Sequence, residues 1–259
     1  MSAAKETSQL IQFNLECPLP DGRVLVQGPL TYNADGLATL HNADFLKDPK
    51  FQQVYKMSAE TSRFRGHDPS ACHVEWRVYV CCWAAAHAMN LPGDFVECGV
   101  LCGGTSIAIA NYVDFKNSDK IFYLLDTYKG LPLEQISPNE QRLGMGNKNQ
   151  TYGIDTYEYV KKLFDGFNAE IIRGKIPDTL PQVQTDRVAY LSIDMNITKP
   201  EIDAAEFFWD KLVPGAIVVL DDYGFKIHYE QKQAFDAFAK RKGVPLLTLP
   251  TGQGLIIKP

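Results

Sequence analysis

The sequence predicts an α/β fold with a mostly parallel sheet, closed by a C-terminal antiparallel hairpin and preceded by a helical or irregular N-terminal arm. Three observations predict it. Residues 93–106, GDFVECGVLCGGTS, read as a short buried strand, a glycine turn and a helix start. The run at 121–125 is continuously apolar, as expected of a central parallel strand covered on both faces, and strands at 188–193 and 216–220 resemble it in ending at aspartates. Between those last two strands, Ile202, Ala205, Phe208, Trp209 and Leu212 mark an amphipathic crossover helix, predicted to stop at Pro214-Gly215.

A chain of 259 residues suits one α/β domain with an appendage. The expected division is 1–90 for an arm and helices serving as a lid or oligomer contact, and 91–259 for the ligand-binding domain. A formal charge of −5 gives no basic footprint, so neither nucleic acid nor a membrane surface is expected as a partner. Residues 2–9 are polar and no stretch has the length of a bilayer-spanning helix, so a cytoplasmic protein is expected. The six cysteines (Cys17, Cys72, Cys81, Cys82, Cys98, Cys102) lack C-x-x-C or zinc spacing and read as reduced, buried thiols.

In chain order, Pro18, Pro20, Gly22, Gly28, Pro29 and Gly36 break residues 10–46 into short runs such as Val24-Leu25-Val26, predicting an irregular or hairpin-containing arm. Asp48-Pro49 opens a helix through Met57. The polar stretch 63–69 is a lid or a connector, with connector preferred. Residues 73–90 predict a buried helix with Trp76, Val80, Trp83 and His87 near one face; His73 and His87 read as core or helix-edge residues rather than ligands.

The glycine turn then raises the question of its ligand. Its pattern, G-x-x-x-G-G, departs from the dinucleotide G-x-G-x-x-G. Glu97 at the strand end would repel a pyrophosphate and favour a ligand carrying ammonium and sulfonium charges, such as S-adenosylmethionine. Gly99 and Gly103 allow a close backbone approach, and Thr105 or Ser106 can cap the helix. A turn that merely packs helix on sheet stays open as the alternative. Asp126, 23 residues beyond Gly103, either accepts hydrogen bonds from ribose hydroxyls or caps a helix. Residues 127–155 are long, polar and glycine-bearing, as a lid over a site would be. A helix at 157–164 and a strand at 169–172 follow; Gly174 ends that strand, and Asp178 opens another helical connection.

Asp194, Asp221 and Asp222 end two strands joined by one crossover, so they can meet at the carboxyl edge of the sheet, where open α/β sheets bind ligands. Three crowded carboxylates need protons or a cation, and oxygen donors favour a hard ion: magnesium first, with manganese or calcium as alternatives. Helix capping by Asp221 and Asp222, with Asp194 as a turn residue, is the competing reading. Beyond this set, residues 229–242 predict a helix, and 244–249 pairs with 255–257 as a hairpin.

The order of GDFVECGV (93–100), LDTYKGLP (125–132), DTLP (178–181), and Asp194 with DDYG (221–224) resembles the macrocin O-methyltransferase family, whose members include sugar methyltransferases of antibiotic pathways. The resemblance implies a class I methyltransferase, Rossmann-like fold and a homo-oligomer. It also implies S-adenosylmethionine at Glu97, Gly99, Gly103, Thr105, Asp126, Gly174 and Asp178, and magnesium at Asp194, Asp221 and Asp222. The family's Asp-Gly-Asp is here Asp194-Met195-Asn196, and an asparagine cannot accept a proton as the second aspartate would. Asp194 with its metal, or His228, is then expected to serve catalysis, unless the family reaction is lost; an exposed histidine at a helix start is the competing reading of His228. The expected function is magnesium-dependent methyl transfer to a hydroxyl of a small, sugar-containing acceptor. A noncatalytic S-adenosylmethionine-binding or assembly protein and an NAD-dependent oxidoreductase are the competing readings.

Overall fold

The computed structural model describes residues 30–259. Cys17, the polar segment 2–9 and the run 24–26 lie outside them. Among the described residues, 30–44 and those from Phe45 onward belong to separate compact units. In the first, β1 (Tyr32–Ala34) pairs antiparallel with β2 (Leu37–Thr39). Asp35 and Gly36 both have positive φ, the backbone of a tight two-residue hairpin turn.

The second unit begins with α1 (Pro49–Glu60), capped by the Asp48 side chain, and α2 (Glu75–Ala88). Strand β3 (Asp94–Cys98) leads through the glycine turn into α3 (Gly104–Tyr112), and β4 (Phe122–Asp126) follows. The segment predicted as a lid carries two short helices, α4 (Pro138–Arg142) and α5 (Asn149–Tyr152). Then come α6 (Tyr157–Leu163), β5 (Ala169–Arg173), β6 (Val188–Ile193), α7 (Thr198–Trp209), β7 (Leu212–Leu220), α8 (Tyr229–Lys242), β8 (Leu247–Thr248) and β9 (Gly254–Ile257).

The seven strands order as β5-β4-β3-β6-β7-β9-β8; the first five are parallel, and β9 runs antiparallel to both β7 and β8. This is the mostly parallel sheet with an antiparallel ending that the sequence predicts. The chain runs outward from β3 through β4 to β5, then returns to place β6 on the other side of β3. A crevice therefore opens at the carboxyl ends of β3 and β6, where the strand order reverses. Every residue of β6 is buried, which requires cover on both faces. Phe95 anchors the core, its ring 5.2 Å from those of Phe115 and Tyr190, while Trp209 and Phe238 join α7 to α8 at 5.3 Å.

Three expectations are corrected. Helix α7 ends at Trp209, and Pro214-Gly215 lie inside β7, where the register with β6 shifts. A bulge suits a proline, which has no N–H to give the ladder, and Gly215 there takes φ +85°. The buried face of α2 is made by Val78, Cys81, Cys82 and Ala85, whereas Trp83 is exposed, because the small residues admit close packing against α3, β6 and β7. The connection after Asp178 is only the 3₁₀ turn Leu180–Gln182. Among the described cysteines all five are unpaired; four are buried and Cys72 is half-buried. Among the described residues no helix is long and apolar enough to cross a membrane.

Candidate active site

A cavity of about 440 Å³ opens at the crevice, and Glu97, Asp126, Asp194, Asp221, Asp222 and His228 all reach it. Its floor is set by Gly99, at the end of β3. This residue has φ +93°, and a Cβ there would lie 1.8 Å from the backbone oxygen of Asp194, so only glycine lets the ends of β3 and β6 come together. Gly103, not Thr105 or Ser106, occupies the N-cap of α3, with a left-handed backbone and no side-chain cap; expected at the ligand, it lies outside the cavity and packs toward Leu163 and Phe164 of the α6 region. Thr105 sits in the first helical turn, where it lines the cavity.

Glu97 is buried, and one of its oxygens, Oε2, has no hydrogen-bond partner. Burial pushes its pKa up to about 8, with Asp221 and Asp126 adding to the rise and the Ser106 hydroxyl pulling the other way. Asp126 ends β4. Its Oδ2 accepts from the backbone N–H groups of Val100 and Leu101 at 2.6 and 2.7 Å, and its Oδ1 accepts from Tyr128 N at 2.7 Å. Asp126 thus fixes the glycine turn as well as lining the cavity. Gly174 reaches the cavity and donates to the backbone oxygen of Asp126 at 2.9 Å. Asp178 does not join them: the turn after Pro177 leaves it exposed and outside the cavity, with its charge near Lys175.

Asp194, at the end of β6, and Asp221 and Asp222, at the end of β7, each bring a carboxylate oxygen within 4.8 Å of the others. Burial pushes Asp194 far above the usual carboxylate range, and the charges of Asp221 and Asp222 push the same way. Burial also raises Asp222, against the pull of His228. Arg77 and Gln253 Nε2 hold Asp221 at 2.5 and 3.0 Å, while Asp222 Oδ2 is buried without any partner. Three converging hard oxygen donors, one of them unsatisfied, fit a divalent cation. The unpartnered Glu97 oxygen and the close-packed glycine turn fit a ligand with a cationic end.

His228 is buried rather than exposed at the helix start. Its Nδ1 faces Gln231 Oε1, and its Nε2 lies 3.6 Å from Asp222 Oδ1 and 3.4 Å from Lys148 Nζ. Burial lowers its pKa, with Asp222 opposing. If Nδ1 donates to the Gln231 oxygen, Nε2 keeps its lone pair toward the cavity. Asn196 has φ +63° and donates to Asp194 Oδ1 at 3.1 Å. Buried Glu201 accepts from Met195 N at 2.9 Å and so braces this turn.

Several of these groups escape sequence reasoning. Lys148 comes from the segment 127–155 expected as a lid, Arg77 from α2, and Gln253 from the hairpin turn. Each is a lone polar residue whose sequence neighbours give no spacing signal. Arg65, from the stretch read as a connector, also lines the cavity.

Known proteins resemble this chain in both sequence and fold. The 8-demethyl-8-(2,3-dimethoxy-alpha-L-rhamnosyl)-tetracenomycin-C 4'-O-methyltransferase of Streptomyces olivaceus is 26% identical over 150 residues, covering 55% of this chain and 57% of that protein. The demethyldecarbamoylnovobiocin O-methyltransferase of Streptomyces niveus is 25% identical over 142 residues, covering 52% and 54%. The match thus spans little more than half the length of these curated relatives. Among solved structures, the O-methyltransferase NovP superposes with a TM-score of 0.67 at 21% identity, over 80% of this chain and 97% of that one. CalS11, a calicheamicin methyltransferase, gives 0.63 at 17% identity, over 84% and 94%. At these identities the likeness shows a shared class I methyltransferase fold. The macrocin-O-methyltransferase (TylF) family matches residues 77–248, a span from α2 to β8 that contains the glycine turn and all three clustered aspartates, and this chain belongs to that family.

Proposed function

We propose that this protein transfers a methyl group from S-adenosylmethionine to a hydroxyl of a small, sugar-containing acceptor, with a divalent ion, magnesium first, held by Asp194, Asp221 and Asp222. The observation that carries this reading is the meeting of the glycine turn and the three carboxylates in one cavity. The names of the curated relatives, one with a rhamnosyl group in its substrate, support the acceptor class.

When bound, the ion supplies a positive charge that lowers the pKa of a coordinated hydroxyl and fixes neighbouring oxygens. The chain's own residues do the rest. Glu97 receives the cofactor's ammonium group on its free oxygen, and Asp126 holds the turn against the ribose. Gly99 and Gly174 admit the ligand close to the backbone, with Thr105 beside it, while Gly103 acts only by turning the chain into α3. His228 Nε2 takes up the proton of the acceptor hydroxyl, a role Asn196 cannot fill. Methyl transfer from a sulfonium to a developing alkoxide annihilates charge, so exclusion of water by residues 144–153 of the 127–155 segment favours it. Arg77 on α2 supports a part for the segment before residue 91 in closing the site. The same reading takes the protein as a cytoplasmic homo-oligomer without a nucleic-acid or membrane partner.

The test is incubation with S-adenosylmethionine, magnesium and a panel of glycosides and nucleotide sugars, read by mass spectrometry. A methylated product, lost on chelation and restored by magnesium, is expected. Cofactor binding without any product across the panel would sink the catalytic reading.

A further inference from the structure

The 3₁₀ turn Thr61–Arg65, between α1 and α2, carries two polar atoms that have no part in the chemistry proposed so far. Ser62 Oγ and Arg65 Nε are both shut off from solvent without a hydrogen-bond partner, and both residues line the cavity. A desolvated guanidinium N–H and a desolvated hydroxyl are costly unless something accepts from them.

Their position says what that is. The end of α1 and the turn after it press against the glycine turn: a Cβ on Gly104 would lie 3.0 Å from Thr61 Oγ1 and 3.3 Å from Ser58 Oγ. Arg65 also acts on the thiol of Cys102, inside the glycine turn. Its guanidinium stands 5.5 Å from the centre of the Tyr152 ring, a contact that helps orient it. Glu97, on the strand that enters the same turn, presents a carboxylate oxygen that is likewise unpartnered. One glycine turn thus has an uncommitted acceptor and two uncommitted donors beside it, the complement of a zwitterion.

The geometry points to Arg65 and Ser62 as the pair that receives the α-carboxylate of the cofactor's methionine end, while Glu97 takes its ammonium. This rests on the proposed cofactor reading. An anionic acceptor is the rival occupant; adjacency to the glycine turn rather than to the three aspartates favours the cofactor.

The test compares S-adenosylmethionine with its decarboxylated analogue by isothermal titration, without acceptor. Wild type should bind the intact cofactor more tightly. Arg65→Met should weaken it by about 10- to 100-fold, the worth of a hydrogen bond to a charged group, and leave the decarboxylated analogue unchanged. Ser62→Ala should act the same way but less. Unchanged binding of the analogue also shows that each variant is folded. Equal weakening of both ligands, or of neither, overturns the assignment while the cofactor reading stands. Failure of wild type to bind either ligand overturns the cofactor reading and this assignment together.

Discussion

Lys148 donates a hydrogen bond to the side-chain oxygen of Asn196, joining the lid to the turn that follows β6. Asn196 in turn donates to Asp194, and the Lys148 charge favours ionised Asp222. The lysine is thus an internal counter-ion for the carboxylate set, and it would compete with the proposed divalent ion for the same field. Lys148→Met is expected to tighten manganese binding by about three- to tenfold, as loss of one nearby positive charge in a half-screened site implies. Titration followed by electron paramagnetic resonance reads it. An unchanged or weaker affinity would show that Lys148 does not act on the aspartates.

The same crowding predicts a trade of stability for metal binding. Burial and two neighbouring charges work against ionised Asp194, so without an ion this residue strains the folded state. Asp194→Asn should raise the melting temperature in chelator by a few degrees. Wild type should gain stability as magnesium is added, by mass action, and the variant should not. Thermal melts across a magnesium series check both. A magnesium response that survives in Asp194→Asn would remove this residue from the ligand set.

The strands and their terminal carboxylates were legible because a short, continuous apolar run between turn residues suits a buried parallel strand, and aspartates at its end stand out against it. Gly99 was legible for a related reason, since the approach of β3 to β6 leaves no room for a side chain. Lys148, Arg77 and Arg65 were not. Each enters the cavity because a separate segment folds over the sheet edge, and no local periodicity encodes that. Pro214-Gly215 misled because both residues stop helices more often than they sit in strands, and only the pairing with β6 shows the bulge. His228 was ambiguous for want of burial information, which residues packing around α8 supply.

Glu97 gives a pH signature in stability. Its folded pKa is pushed up to about 8 from an ordinary 4.5. The folded state therefore holds this proton more tightly than the unfolded chain. Its stabilising effect is complete below about pH 4.5 and is lost as pH rises through about 8. Glu97→Gln cannot titrate, so its stability relative to wild type should grow between pH 5 and 8, by an amount on the order of a few kcal/mol for so buried a group. Denaturant melts at several pH values in chelator measure the difference. A gap that stays flat over this range would mean that Glu97 is ionised throughout.

Glu140 predicts how the lid is held. It is buried, its Oε1 accepts from both N and Oγ1 of Thr198 at 2.7 Å, and its Oε2 accepts from Ser137 N at 2.8 Å within the capping box of α4. One carboxylate thereby ties the lid helix to the first turn of α7, next to the Asp194–Asn196 turn. Glu140→Gln keeps the shape but must turn an N–H₂ group toward one of these donors. It should cost about 1–3 kcal/mol, the penalty for a buried donor left unmade. The cost falls on opening of the lid rather than on the sheet, so hydrogen exchange should accelerate across residues 133–153 and stay slow in β3 and β6. Equal acceleration in the sheet would show that Glu140 supports the whole fold, and no acceleration anywhere would show that the lid is held by its other contacts.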